Sequence, residues 1–230
     1  MIETHEDVFP AIYEAYRIAT TGEPGPVFVE IPVNIQLMAA EVAGLPTFEL
    51  QPPTSSFTDQ DIQGAADLVR ASKNPCIFAG WGSRDATAAL LQLAEMLDAP
   101  VATTLQGLSV FPASHPLHVG MGFGPSAVPA AKAAFTNCDC MIAIGTRFSE
   151  IPTGSFGVTV PENLVHIDIN PKVINANYPA KFGLCGDAVD ILPAIVAALG
   201  NNAGQESRNG KGIRDAIAKN KSVYRKEWSD

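Results

Sequence analysis

The sequence predicts an α/β protein over residues 58–200: a three-layer α/β/α doubly wound sandwich with a mostly parallel sheet. Two observations carry that expectation. Short, mostly apolar runs recur at Cys76–Ala79, Met141–Ile144 and Leu164–Asp168, and they alternate with stretches whose apolar residues fall at helical spacing. Strands that are apolar on both sides need cover on both faces, the condition of a parallel sheet between two helical layers.

The elements follow in order. Val8, Ile12, Ala15, Tyr16 and Ala19 predict a helix over residues 4–20, with Pro10 in its first turn. Gly22-Glu-Pro-Gly-Pro26 breaks that pattern, and Val27–Ile31 reads as a strand stopped by Pro32. Residues 1–43 are thus one helix and one strand with no sheet to join. Pro46, Pro52 and Pro53, among Thr and Ser, make residues 44–57 an extended linker. Beyond it, Thr58 caps a helix with Asp61 three residues on, and Ile62, Ala65, Ala66 and Val69 form its buried face. The strand Cys76–Ala79 ends at Gly80-Trp81-Gly82. A helix with Leu90, Leu93, Ala94 and Leu97 on one side leads to a strand over Pro100–Thr103.

The second half repeats the scheme: a helix near Ser126–Phe135, strands Met141–Ile144 and Leu164–Asp168, a short helix after Pro171, a strand Phe182–Cys185 and a helix Asp187–Leu199. Asn201–Gly212 is a polar, Gly-rich linker, and Ile213–Trp228 a charged helix or a frayed tail.

Composition narrows the function. The 230 residues suffice for one large domain or one domain with appendages. A net charge of -9, with no run of Lys or Arg, repels phosphate backbones and anionic headgroups, which disfavours nucleic acid and membrane as partners. The apolar stretch Ile191–Leu199 is far shorter than the roughly 20 residues of a spanning helix, and the acidic amino terminus lacks a signal-peptide pattern. The chain reads as cytoplasmic. Four cysteines are too few for a disulfide framework, and His115 and His118 have no nearby cysteine to make a zinc site, so no metal is expected. No Gly-x-Ser-x-Gly elbow occurs, and no catalytic residue is assigned.

In an open parallel sheet, ligands settle over the carboxyl ends of the strands. The segments that follow the strands here are rich in Gly, Thr and Asp. Gly80 and Gly82 let backbone approach a ligand, with the amino end of the next helix pointing there, although two glycines also suit a merely tight turn. Thr104 and its neighbours offer polar groups, and Gly120-Met121-Gly122 backbone amides with an apolar surface. Arg147 after Gly145 can pair with a pyrophosphate, and Asp168 can accept from sugar hydroxyls. Each has a structural counterpart: Thr104 as a cap, Arg147 in a surface ion pair, Asp168 and Asp187 as helix caps.

Pro100-Val-Ala-Thr-Thr-Leu-Gln-Gly107, Ser114-His-Pro-Leu-His-Val-Gly-Met-Gly122, Gly145-Thr-Arg-Phe-Ser-Glu-Ile-Pro-Thr-Gly154, Val165-His-Ile-Asp-Ile-Asn170 and Cys185-Gly-Asp187 together resemble the central domain of thiamine-diphosphate enzymes of the acetolactate synthase type. The resemblance covers residues 58–200 and implies a Rossmann-like fold. Pro24–Val33 resembles the final strand of the preceding pyrimidine-binding domain. In flavin-bearing relatives this domain binds FAD, and the matching positions are Gly80, Gly82, Arg84, Thr104, Leu105, Gly120, Met121, Gly145, Arg147, Asp168, Ile169, Gly186 and Asp187. Two departures stand out: Ser149-Glu150-Ile151 replaces a pair of acids and a base, and Phe123-Gly124 replaces an expected His. Some relatives bind ADP here, or nothing.

The resemblance also implies that the glutamate that polarises thiamine diphosphate and the motif that holds its magnesium lie in other domains. These 230 residues are therefore expected to be catalytically incomplete, and to associate with the missing thiamine-binding domains or with a second copy as a homo-oligomer. Two other readings stand beside this one. One is an assembly module with a degenerate site. The other is a self-standing NAD-using enzyme, because NAD-dependent deacylases use a related sheet.

Overall fold

The computed structural model describes residues 2–49, 55–200, 208–227 and 229. The chain divides into two compact units, Met1–Thr54 and Ser55–Asp230. Parts of both expected linkers, residues 50–54 and 201–207, and the expected helix end at Trp228 lie outside the described residues.

In the first unit a 3-10 turn, His5–Asp7, runs into α1, Val8–Thr20, and a short α2 spans Val33–Leu37. Pro10 sits in the first turn of α1, where no intrahelical N–H bond is lost. Phe48 packs on Tyr13 and Tyr16, with ring centroids 5.1 and 5.4 Å apart, and His5 Nε2 lies 2.7 Å from the Met38 carbonyl oxygen. The expected strand at Val27–Ile31 forms no ladder with any described segment, and a strand needs a paired neighbour.

The second unit is the α/β sandwich. Its helices and strands are α3 Asp59–Ala71, β1 Pro75–Ala79, α4 Thr87–Leu97, β2 Val101–Thr103, β3 His118–Met121, α5 Pro129–Phe135, β4 Cys140–Ile144, β5 Leu164–Asp168, β6 Phe182–Cys185, α6 Ala188–Leu199 and α7 Gly210–Glu227. All six strands pair in parallel, in the order β3-β2-β1-β4-β5-β6. Helices α3, α4 and α6 pack together over one face, and α5 and α7 pack together beside β3. Between them lies a single core that includes Phe78, Ile77, Leu90, Leu93, Ile142 and Leu164, all fully buried.

Local chemistry explains the helix boundaries. The Thr58 hydroxyl accepts from the Asp61 N–H at 3.2 Å, while Asp61 Oδ2 accepts from the Thr58 N–H at 2.9 Å, the reciprocal cap that starts α3. Helix α5 begins at Pro129 rather than near Ser126, since the residue before a proline is pushed out of helical geometry; Val128 is extended at φ -59°, ψ 150°. The short helix expected after Pro171 is a pair of turns instead. Asn175 takes φ +63° and its side chain accepts from the Ala180 N–H at 2.7 Å, which stops propagation. His118–Met121, read from sequence as loop, completes an edge of the sheet as β3. On the opposite edge, Ser56 N–H donates to the Cys185 carbonyl at 2.9 Å and covers β6. Helix α7 begins at Gly210, inside the segment read as linker, and is tied down by Arg208, whose Nη2 donates to the Val69 and Ser72 carbonyls at 3.1 and 2.9 Å.

Cys76, Cys138 and Cys140 gather at the opposite end of the sheet from the strand carboxyl ends, and all four cysteines are free thiols. Hydrogen bonding with Cys138 and burial push Cys76 up, and burial pushes Cys140 up to about 12, so neither is poised for thiolate chemistry.

Candidate functional site at the carboxyl edge of the sheet

The sheet order places a topological switch point between β1 and β4. Their pairing runs Pro75↔Cys140 through Ala79↔Ile144, so the segments that leave them start side by side and diverge. Three of the predicted glycines meet there. A Cβ on Gly80 would collide with the Gly145 carbonyl oxygen and lie 2.9 Å from its carbon; one on Gly82 would lie 2.7 Å from Gly145 Cα; one on Gly145, itself at φ +56°, would lie 2.5 Å from the Gly82 carbonyl carbon. Only glycine permits this backbone-to-backbone contact. Gly107, which the sequence reading passed over, belongs to the same packing: its Cβ would lie 2.9 Å from the Ala79 oxygen and 3.0 Å from Gly80 C.

The amides of these glycines are spent inside the protein. Gly80 N–H donates to Ile144 O at 2.8 Å, Gly82 N–H to Gly145 O at 3.2 Å, Gly145 N–H to Ile167 O at 2.8 Å and Gly186 N–H to Asp168 O at 3.0 Å. Each extends a strand ladder by one residue or ties two loops. The glycines therefore set how closely the loops approach. Gly186 is small for a further reason: a Cβ there would lie 3.0 Å from the Phe57 ring.

The other predicted residues fall along the same edge. Arg84 stands in the 3-10 helix Trp81–Ala86 that leads into α4, with Nε 2.9 Å from Asp85 Oδ2 and its guanidinium 4.9 Å from the Trp81 ring centre. Thr104 follows β2, buried, its hydroxyl accepting from the Gly107 N–H at 3.0 Å, the capping role foreseen for it. Thr103 ends β2 with a buried hydroxyl that has no partner among the described residues. Leu105 beyond it is exposed. Gly120 and Met121 close β3, with Gly120 at φ +113° against Val128 and Met121 exposed.

Arg147 is exposed in the segment after β4, and its carbonyl accepts from Asn177 Nδ2 at 3.0 Å. Phe148 takes φ +49° while fully buried against Phe78, His166 and Tyr178, so aromatic packing holds the backbone turn that puts Arg147 at the rim. Beneath it, His166 Nε2 lies 2.9 Å from the Thr146 carbonyl, and burial lowers its basicity. Asp168 ends β5 and its Oδ1 accepts from the Asn170 N–H at 2.9 Å; Ile169, half-buried, follows. Asp187 caps α6 by accepting from the Val189 N–H at 2.9 Å, the capping role foreseen for it.

The edge is chemically divided. Over β1, β2 and β3 stand exposed Trp81, Leu105, Leu108 and Met121; over β4, β5 and β6 stand Arg147, Asp168 and Asp187. Among the described residues no group of three or more His, Cys, Asp or Glu side chains could hold a metal ion. No described helix is long and apolar enough to cross a membrane.

A parallel sheet with this order, and a glycine-lined switch point, defines the class of doubly wound α/β domains. Comparison with known proteins is more specific. The family model "Thiamine pyrophosphate enzyme, central domain" matches residues 62–195. A Methanocaldococcus jannaschii protein named "Probable acetolactate synthase large subunit" is 39% identical over 209 residues, covering 86% of this chain and 35% of its own length. The acetolactate synthase large subunit of Corynebacterium glutamicum is 34% identical over 201 residues, covering 85% and 32% respectively. A solved structure from Mycobacterium smegmatis, described as a candidate thiamin diphosphate-dependent enzyme, superposes with a TM-score of 0.72 at 24% identity over 87% of this chain and 38% of that one. The chain belongs to the thiamine pyrophosphate enzyme family, as its acetolactate synthase-like central domain, and spans about a third of the length of these curated relatives.

Proposed function

We propose that this chain is the nucleotide-holding central part of a cytoplasmic thiamine-diphosphate-dependent enzyme that condenses or cleaves 2-oxo acids, and that the carboxyl edge of its sheet takes FAD or ADP. The observation that carries the reading is the glycine-lined switch point between β1 and β4. In this reading Gly80, Gly82 and Gly145 form the floor, and Arg84 and Arg147 meet the phosphates. Thr104, Asp168 and Asp187 line the polar margin for ribose or ribityl hydroxyls, and Leu105, Met121 and Ile169 the apolar one, with Gly120 and Gly186 keeping the loops low. Thiamine diphosphate with magnesium supplies the carbanion stabilisation such chemistry needs, and the proposal assigns both to other segments of the complete enzyme.

Residues 1–43 support a partnered state. Phe28 is 86% exposed and Leu37 76%, with Val33 and Met38 also bare, more apolar surface than a free unit of this size keeps. The proposed cover is the thiamine-binding domains or a second copy of the chain. Titration with ADP and then FAD, followed by tryptophan emission with Trp81→Phe as control and by equilibrium dialysis, tests the nucleotide site. Saturable binding is expected. Absence of binding for both ligands by dialysis would overturn the reading and leave an assembly module.

A further inference from the structure

The switch point singles out one side chain. Gly80 and Gly82 are both forced to be glycine by Gly145, yet the residue between them is tryptophan, the largest available. Its ring is 49% exposed. One face is occupied: the Arg84 guanidinium lies 4.9 Å from the ring centre, fixed there by Asp85 at 2.9 Å and by a backbone whose Arg84 carbonyl accepts from the Thr87 hydroxyl at 2.9 Å. No other aromatic ring of the described residues stacks on it, and its indole N–H makes no hydrogen bond among them. A large aromatic held by a planar cation at the carboxyl end of β1, on the edge that also carries exposed Leu105 after β2 and Met121 at the end of β3, is a surface shaped to accept a second flat ring.

We propose that Trp81 is the stacking platform for the planar heteroaromatic ring of the bound nucleotide, either adenine or isoalloxazine, and so sets the specificity of the edge for base-bearing ligands over bare phosphates. The inference rests on the nucleotide reading above. Loss of a base-stacking aromatic typically weakens binding by between about five- and 150-fold, and Trp81→Leu is expected to fall in that range while Trp81→Phe retains most affinity.

The experiment is calorimetric titration of the full chain, wild type, Trp81→Leu and Trp81→Phe, with ADP, FMN and inorganic pyrophosphate. Far-UV circular dichroism and the melting midpoint check that each variant folds. ADP weakened at least fivefold in Trp81→Leu, with pyrophosphate within twofold of wild type, assigns the platform to adenine. The same result with FMN assigns it to the flavin ring. Equal weakening of pyrophosphate, or no weakening of any ring-bearing ligand that wild type binds, overturns the platform while leaving the nucleotide site standing. If wild type binds none of the three, nor FAD in the dialysis above, the nucleotide reading fails and the platform with it.

Discussion

Replacing Gly145 by alanine tests the switch-point contact with a magnitude that can be worked from the structure. Two costs arise. The backbone there sits at φ +56°, the left-handed region that costs a residue with a Cβ about 1–2 kcal/mol. The new methyl would also lie 2.5 Å from Gly82 C and 2.7 Å from Ser83 N, where unstrained carbon contacts need about 3.5 Å. The neighbours are backbone and cannot swing aside, so one loop must move by about 1 Å, an overpacking cost of about 1–3 kcal/mol. The sum is about 2–5 kcal/mol, a large part of the roughly 5–15 kcal/mol that holds a domain folded. Gly122→Ala is the internal control. It has φ +71° but nothing within 4 Å of the added methyl, so it carries the first cost without the second. Urea denaturation of both variants, followed by far-UV circular dichroism, reads the difference as a shift in midpoint at constant slope. Gly145→Ala should lose about 1–3 kcal/mol more than Gly122→Ala. Equal losses would show that the loops are not in the contact described, and the argument for a closed glycine floor would fall.

Three further outcomes are expected. His118 is buried with neither ring nitrogen bonded among the described residues, and burial, then Lys221 and His115, lower it from 6.5 to about 4. The unfolded chain therefore takes up the proton first, so stability present above pH 6.5 is lost as pH falls toward 4, by no more than about 3 kcal/mol. Urea midpoints at pH 7 and 5 should converge in His118→Phe, and an unchanged gap would refute the assignment. Asp139 accepts from the Ser72 hydroxyl at 2.5 Å and from the Lys73 and Asn74 N–H groups at 2.8 and 2.9 Å, bonds that outweigh its burial and lower its pKa. Asp139→Ala should cost about 2 kcal/mol at neutral pH, an effect that fades as pH falls through the carboxylate range; a loss under 0.5 kcal/mol by urea denaturation would contradict this. The proposed site meets phosphate with the Arg84 and Arg147 side chains rather than with amides, so ADP affinity should weaken severalfold between about 0.05 and 0.5 M salt, and a salt-independent dissociation constant from dialysis would count against those two residues.

What the sequence disclosed was local. The cap of α3 was legible because Thr58 and Asp61 are three residues apart, and β1 and β4 because five buried positions in a row leave no polar alternative. The failures share a cause in distant partners. Val27–Ile31 has strand composition, but a strand is made by its neighbour. His118–Met121 looks too short and too glycine-rich to be one, yet β2 supplies the ladder. At the site, Gly80, Gly82 and Gly145 were recognisable as glycines, whereas their reason, contact with one another across 63 residues of sequence between Gly82 and Gly145, was not. Gly107 is missing from the expected site because a lone glycine carries no local pattern, and Thr103, read with Thr104 as a source of hydroxyls, gives no sign in sequence that its own hydroxyl is buried.

The fate of the backbone amides decides how such an edge works. A glycine-rich turn that opens its N–H groups toward solvent can grip a phosphate with backbone alone, whatever side chains surround it. Here Gly80, Gly82, Gly145 and Gly186 all donate within the protein. In the proposed site the turn then supplies shape, and the side chains arrayed around it tell one ligand from another: Arg84 and Arg147 for charge, Trp81, Leu105 and Met121 for a flat apolar ring. Such a site is easily retuned. Substitution of two or three rim residues would change or abolish the ligand while the sheet, its order and its glycine floor persisted, because those depend on contacts the rim does not make.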